Sequence, residues 1–379
     1  MPPSTRTLCD SALRAVVDPP PTPWPFVPAL ALLALLSLGH PPCHPLPPCW
    51  GSSPPLDSYS PSHAPTYETT SSVIGEMGFT TEKDERALII VVSKDEGLRP
   101  VFVLLNSTIS NTKEPEKLHF VVILPSSIPE SECLKLQAVL ENVPVTIFRD
   151  GYIIEKMKSL LPAESASERN FKRLDVMPFY LPKMFPSFDR FVYLELDAVL
   201  QGDIEEIIQL EMESDPVAGV EDCSQQLETF FSMELLEAAR VLSRNEKPAL
   251  PAQPYEPKTC LFDKSTLVID QKAWREENVT EAVQWWIAMY HRTAESLYSN
   301  GHLELPFQLA LYKKCKQLDA LWNVRRPLTY ADANEAKLVH FDKEHKPWHQ
   351  TKPTNFEKDI TRIWWKYISP SANMVFLAH

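Results

Sequence analysis

Residues Phe188 to Asp203 read FDRFVYLELDAVLQGD. An apolar, β-rich run (Phe191, Val192, Tyr193, Leu194) stops at two carboxylates one residue apart, Glu195 and Asp197, and the chain turns apolar again before a Gly202-Asp203 turn. This is the pattern of a strand that delivers acids to a sheet edge. Residues i and i+2 of a strand share a side, so Glu195 and Asp197 are expected to converge on one small volume. Two carboxylates held that close repel unless a cation lies between them. Hard oxygen ligands favour Mn²⁺ or Mg²⁺, ions that commonly bridge to the phosphates of a nucleotide. The plain alternative is a surface strand end carrying two solvated acids.

The segments on either side place this strand in a layered α/β body of about 290 residues, enough for one large domain or two joined lobes. ALIIVVS (Ala87 to Ser93) has the composition of a fully buried strand, Leu98 to Thr112 that of a helix, and KLHFVVILP (Lys117 to Pro125) that of the next strand. A helical pattern from Pro129 to Asn142 and a short strand, Val145 to Arg149, follow. Pro129 suits a first helical turn, where its missing N–H costs nothing. Strand, helix, strand in this rhythm predicts a parallel sheet with right-handed crossovers, whose ligands gather at the carboxyl ends of the strands. Glu195 and Asp197 lie at such an end.

Further on, CLFDKSTLVID (Cys260 to Asp270) reads as a strand leading into a helix over about Lys272 to Met289. Trp274, Trp285, Trp286 and Met289 on that helix are expected to be core rather than a platform for a sugar ring. Val339 to Trp348, VHFDKEHKPW, places His340 after a short apolar run and Lys346 six residues later. A strand-end histidine and a loop lysine could complete a metal and diphosphate site, since imidazole suits Mn²⁺ and lysine acts as a point charge on phosphate. A packed or surface histidine is the plain alternative.

The front of the chain speaks to location. Residues 26–38, FVPALALLALLSL, are the only long uncharged apolar run, preceded by Arg6 and Arg14. With Trp24 and Pro25 the run is about 15 residues, short of the roughly 20 of a typical span and above the minimum of a signal peptide. Residues 24–38 are expected to be a signal anchor or signal peptide after a short tail, residues 1–23. The basic N-terminal side predicts a type II single-pass protein with its bulk in the Golgi or ER lumen, or a secreted protein if the segment is cleaved. Residues 39–80, rich in Pro, Ser and Thr, read as an extended stem, and residues 81–379 as the folded domain. Asn106 and Asn278 head glycosylation sequons, Asn278 in the more exposed context. Cys133, Cys223, Cys260 and Cys315 follow the stem, and one bridge of open connectivity is plausible in an oxidising lumen. The net charge of −13 argues against a nucleic-acid partner.

The pieces, taken in order, resemble glycosyltransferase family 8. YLELDAVLQGDI is similar to the family's YLDxDxxxxGDI segment, and HFDKEHKPW to its HxxGxxKPW block. FYLPKMFP (Phe179 to Pro186), Trp322 to Arg325, Glu221-Asp222-Cys223 and Thr259-Cys260 fit as well, the last two resembling segments of animal domain-containing members. The resemblance spans most of residues 86–379 and implies a GT-A type fold, a Rossmann-like mixed sheet flanked by helices. It implies a UDP-sugar donor, Mn²⁺, and transfer to a glycan or protein acceptor with retention of anomeric configuration. By position, Glu195, Asp197 and His340 take the metal-ligand places and Lys346 the diphosphate place. Val92, Ser93, Lys94 and Asp95 take the region that cradles uridine. No catalytic base is assigned.

Four positions depart from the family pattern. Glu195 stands for the first acid of DxD, one methylene longer. Lys343 stands for a phosphate-facing glycine, whose lack of Cβ permits close backbone approach. Ser265 stands for the glycine of an FNxG turn, and Pro178 for an arginine. The leading reading is a hexosyltransferase; the second is a relative that binds nucleotide sugar or a partner protein without turnover, a reading that Lys343 and Ser265 favour.

Overall fold

The computed structural model describes residues 87–92, 97–140, 144–160, 174–242, 251, 253–293, 296–298, 305–325, 329–341, 346–356 and 359–377. The expected anchor and stem lie outside the described residues. Among the described residues no helix is long and apolar enough to cross a membrane.

Four strands form the first half of the main sheet: β1 (Ala87–Val92), β2 (Leu118–Leu124), β3 (Val145–Arg149) and β4 (Arg190–Glu195). Helix α1 (Leu98–Asn111) joins β1 to β2, and α2 (Glu130–Val139) joins β2 to β3. All three neighbouring pairs in this half run parallel, in the order β3-β2-β1-β4. The chain winds outward from β1 to β3 and then returns to the other side of β1. The gap between β1 and β4 is therefore a topological switch point, the place where an open α/β sheet offers a crevice to ligands. Val92 and Glu195 face each other across it.

The second half of the sheet is β6 (Val217–Gln226), β7 (Cys260–Asp270) and β8 (Cys315–Gln317), with β7 antiparallel to both β4 and β6. A small second sheet combines β5 (Ala198–Leu200), β9 (Val324–Arg325) and β10 (Leu338–His340), in the order β5-β10-β9. β5 enters it directly from β4 through Leu196 and Asp197. The tight return at Gly202 is locked by Lys337, whose carbonyl accepts from both Gln201 and Gly202 N–H at 2.7 and 2.8 Å. A Cβ at position 202 would sit 2.8 Å from Lys337 Cβ, so the glycine permits the close approach.

Strand alternation splits the core into two layers. Ile90, Val92, Phe191, Tyr193 and Leu267 face one side, and Ile89, Val91, Val192, Leu194 and Val268 the other. Each such side chain, fully buried, contributes about 1.5–3 kcal/mol relative to exposure. α1 covers the second side with Val101, Phe102 and Leu105, while α3 (Val279–Arg292) covers the first with Val283, Trp286 and Met289. Trp274, Trp286 and Met289 are core, at 2%, 0% and 2% exposure, and Trp285 packs against the same layer.

The single helix expected over Lys272 to Met289 is instead two, Gln271–Glu276 and α3. Asp270 caps the first by accepting from Ala273 N–H, and Asn278 breaks the run in a left-handed conformation, φ 51° and ψ 42°. Asparagine tolerates that region better than most residues, so the apolar spacing continues through a break it does not reveal. The sequon asparagines differ as well. Asn278 is exposed, whereas the Asn106 amide donates to the Tyr367 carbonyl at 2.8 Å. Cys223 and Cys260 form a disulfide that joins the end of β6 to the start of β7, leaving Cys133 and Cys315 as thiols.

Candidate active site

Glu195 is the last residue of β4, Asp197 lies in the turn that leads to β5, and His340 ends β10 directly opposite Ala198. The two sheets thus meet at a seam, and all three side chains point into it. One carboxylate oxygen from each acid and one ring nitrogen of His340 lie within 4.8 Å of one another. The seam is held by Phe341 N–H, which donates to the Asp197 carbonyl at 2.7 Å. His340 is 2% exposed, and its Nε2 lies 3.1 Å from Asp197 Oδ1. Burial pushes the Asp197 carboxyl up, but hydrogen bonding and charge from His340, with help from Lys346, hold it below its ordinary value.

A chain of hydrogen bonds behind His340 fixes which ring nitrogen faces the acids. Asp263, on β7, accepts from Ser265 N–H at 2.8 Å and from the Ser265 hydroxyl. The Ser265 oxygen is thereby turned to accept from Asn323 Nδ2 at 3.0 Å. Asn323 Oδ1 then faces His340 Nδ1 at 3.2 Å, and since an amide oxygen only accepts, Nδ1 carries the hydrogen. With Nδ1 committed to Asn323, Nε2 is the nitrogen that faces Asp197: protonated it donates to that carboxylate, and without its hydrogen it presents the lone pair a metal ligand needs. Arg325 pairs with the remaining oxygen of Asp263. Burial raises the Asp263 carboxyl, yet the Arg325 charge and the Ser265 donors outweigh it and leave the group below its usual range.

Asp263, Asn323 and Arg325 are site members that the sequence did not single out. Their blocks were legible, but no spacing links residue 263 to residue 323. Ser265, expected as a lost glycine, is a working part of this network, 1% exposed. Lys264 provides a further contact: its Nζ lies 2.5 Å from Glu195 Oε1, both side chains being less than one fifth exposed.

Lys346 lies over the Trp348 ring, 5.1 Å from its centroid, and its charge is felt at Asp197. Trp348 is anchored by Arg99 of α1, which donates to the carbonyls of Trp348 and Gln350 at 2.8 and 2.9 Å and stacks against Trp364 and Trp365. Val92 closes β1 beside the site with its side chain in the core, 3% exposed, so it can offer a ligand only its backbone. Ser93, Lys94, Asp95 and Lys343 lie outside the described residues. Pro178 is buried in a 3₁₀ turn, Leu174–Phe179.

Two carboxylates and an imidazole form a donor set suited to Mn²⁺ or a similar divalent ion. Glu221 with Cys223 and Cys260 is the other such grouping among the described residues, but its two sulfurs are consumed by the disulfide.

Comparison with known proteins agrees with this geometry. The profile of Glycosyl transferase family 8 matches residues 81–352. Glycosyltransferase 8 domain-containing protein 1 of Danio rerio is 24% identical over 305 residues, covering 76% of this chain and 79% of that protein. Glycosyltransferase 8 domain-containing protein 2 of Mus musculus is 22% identical over 314 residues, covering 79% of this chain and 86% of that protein. Among solved structures, the apo form of the WbbM bifunctional glycosyltransferase superposes with a TM-score of 0.51 at 14% identity, over 78% of this chain and 52% of that one, a likeness of fold. A mixed α/β sheet dominated by parallel pairs, with an acidic cluster at its switch point, is thus joined to a profile match over most of the chain: the protein belongs to glycosyltransferase family 8.

Proposed function

We propose that this glycosyltransferase moves a hexose from a UDP-sugar to a glycan or protein acceptor with retention, in a Mn²⁺-dependent site formed by Glu195, Asp197 and His340. The observation that carries the reading is the convergence of those three ligands within 4.8 Å at the seam of the two sheets. A divalent ion bound there supplies positive charge where the leaving diphosphate develops negative charge. Lys346 adds a point charge on the same side, and the Trp348 ring beneath it limits where its ammonium can go. Asn323 holds the His340 ring in its ligating tautomer. The end of β1, from Val92 toward Asp95, is the side from which uridine would be gripped.

The proposed setting is the lumen of the Golgi or ER, with residues 24–38 as anchor or signal. The Cys223–Cys260 disulfide supports an oxidising compartment.

The test is UDP release from UDP-glucose, UDP-galactose and UDP-xylose by a fragment beginning near residue 80, with and without Mn²⁺. Metal-dependent release from one donor, lost in Asp197→Ala, is the expected result. Metal-dependent binding that survives Asp197→Ala would show that the ion sits elsewhere.

A further inference from the structure

The contact between Lys264 and Glu195 is built by the sheet. β6 and β7 pair in regular order up to Gly219 opposite Leu267, and the next pair is Val220 opposite Asp263. Lys264, Ser265 and Thr266 are therefore extra residues on β7, a bulge. Bulges of this kind bend a strand and re-aim its side chains. Here Ser265 is directed to Asn323, and Lys264 to the end of β4, with Nζ 2.5 Å from Glu195 Oε1. Its ammonium thus neutralises one of the two acids whose mutual repulsion a metal ion would otherwise relieve.

We infer that Lys264 is a tethered competitor of the divalent ion: its ammonium holds Glu195 Oε1, and an ion ligated by all three groups must share or take that carboxylate against it. The inference rests on the proposed metal site. An incoming ion meets a carboxylate whose charge an ammonium already offsets, so the affinity for Mn²⁺ alone is set below what two acids and an imidazole would otherwise give. Lys264 is a positioning residue in this sense, acting on the reaction through Glu195.

The experiment is a titration of the full chain with Mn²⁺ alone, read by loss of the free-ion electron paramagnetic resonance signal, for wild type, Lys264→Met, Lys264→Gln and Lys264→Arg. Both neutral variants are expected to bind Mn²⁺ at least about tenfold more tightly than wild type, equivalent to ~1.4 kcal/mol. Lys264→Arg, which keeps the charge, should stay within about threefold. In a Glu195→Gln background, Lys264→Met should give no gain, because the competed carboxylate is gone. Equal affinity in wild type and the neutral variants would overturn the inference, as would an arginine variant that tightens as much as the neutral ones. If no variant binds Mn²⁺, the metal site itself falls; if all bind equally and Asp197→Ala does not bind, the site stands and only the competitor role is lost.

Discussion

Replacing Asn323 with leucine tests the deduction about the His340 tautomer. Asn323 is 7% exposed and bridges His340 Nδ1, at 3.2 Å, and Ser265 Oγ, at 3.0 Å. Leucine fills a similar volume but leaves the Nδ1 hydrogen buried without an acceptor and the serine oxygen without its donor. A buried polar group stripped of its partner costs about 1–3 kcal/mol. Ser265 keeps its bond to Asp263, so its share lies at the low end and the sum is about 2–4 kcal/mol. The ring also loses the contact that aims Nε2, and loss of such an outer contact typically weakens metal affinity 10–100-fold. Urea unfolding in chelator reads the first effect, and Mn²⁺ titration the second. Asn323→Asp separates them, because it keeps an acceptor for Nδ1 while it loses the donor to Ser265 and adds a buried carboxylate near Asp263; it should lose stability and retain most of the metal affinity. A leucine variant with stability within about 0.5 kcal/mol of wild type and unchanged Mn²⁺ affinity would refute the network as described.

Arg99→Met removes two charge-assisted hydrogen bonds and the stacking of the guanidinium on Trp364 and Trp365, offset by relief from burying a charge; the expected loss is about 3 kcal/mol in urea unfolding, with weaker UDP binding as the segment bearing Lys346 loosens. Arg99→Lys should recover less than half of it, since a single ammonium on a shorter stem lacks the two separate nitrogens that reach the two carbonyls and the flat face that lies on the tryptophans, and full recovery would contradict the geometry. The Asp263 carboxyl is held below its ordinary value of about 3.9, so its contribution is complete above that pH and fades as pH falls through its lower folded value. The stability gap between wild type and Asp263→Asn should therefore be constant from pH 7 to about pH 5 and narrow below about pH 4; a gap that persists unchanged at pH 3 would assign the effect to something other than ionisation.

The parts of the fold that were legible in sequence are those buried on both sides. ALIIVV is a continuous apolar run and LHFVVIL one interrupted only by His119, because β1 and β2 lie between two core layers, and runs of that kind belong to central parallel strands. The acid pair was legible through spacing alone, and His340 and Lys346 through a strand-end position and a loop lysine, joined to the acids by the resemblance of the block that carries them. What escaped was made by register. β5, β9 and β10 are two or three residues long, too short for any periodicity to announce the second sheet. Lys264 meets Glu195 only because β7 bulges, and Asn323 meets His340 only because β9 and β10 pair. The break at Asn278 was masked by an apolar spacing that two helices share.

The Cys223–Cys260 bridge spans 37 residues of sequence and ties together the two strands from which the intervening segment leaves and to which it returns. Closing a loop of that size removes disorder from the unfolded chain worth ~3–4 kcal/mol by the chain-entropy argument. The segment gives Leu236, Ala239 and Tyr255 to the core, while residues such as Glu228, Glu234 and Val241 face outward. Among its described residues, then, one face is packed on the scaffold and the other lies toward solvent. A cassette clamped at its base can exchange its outer surface, by drift or by grafting from a relative, while β4, β7 and the chemistry at their junction keep their alignment.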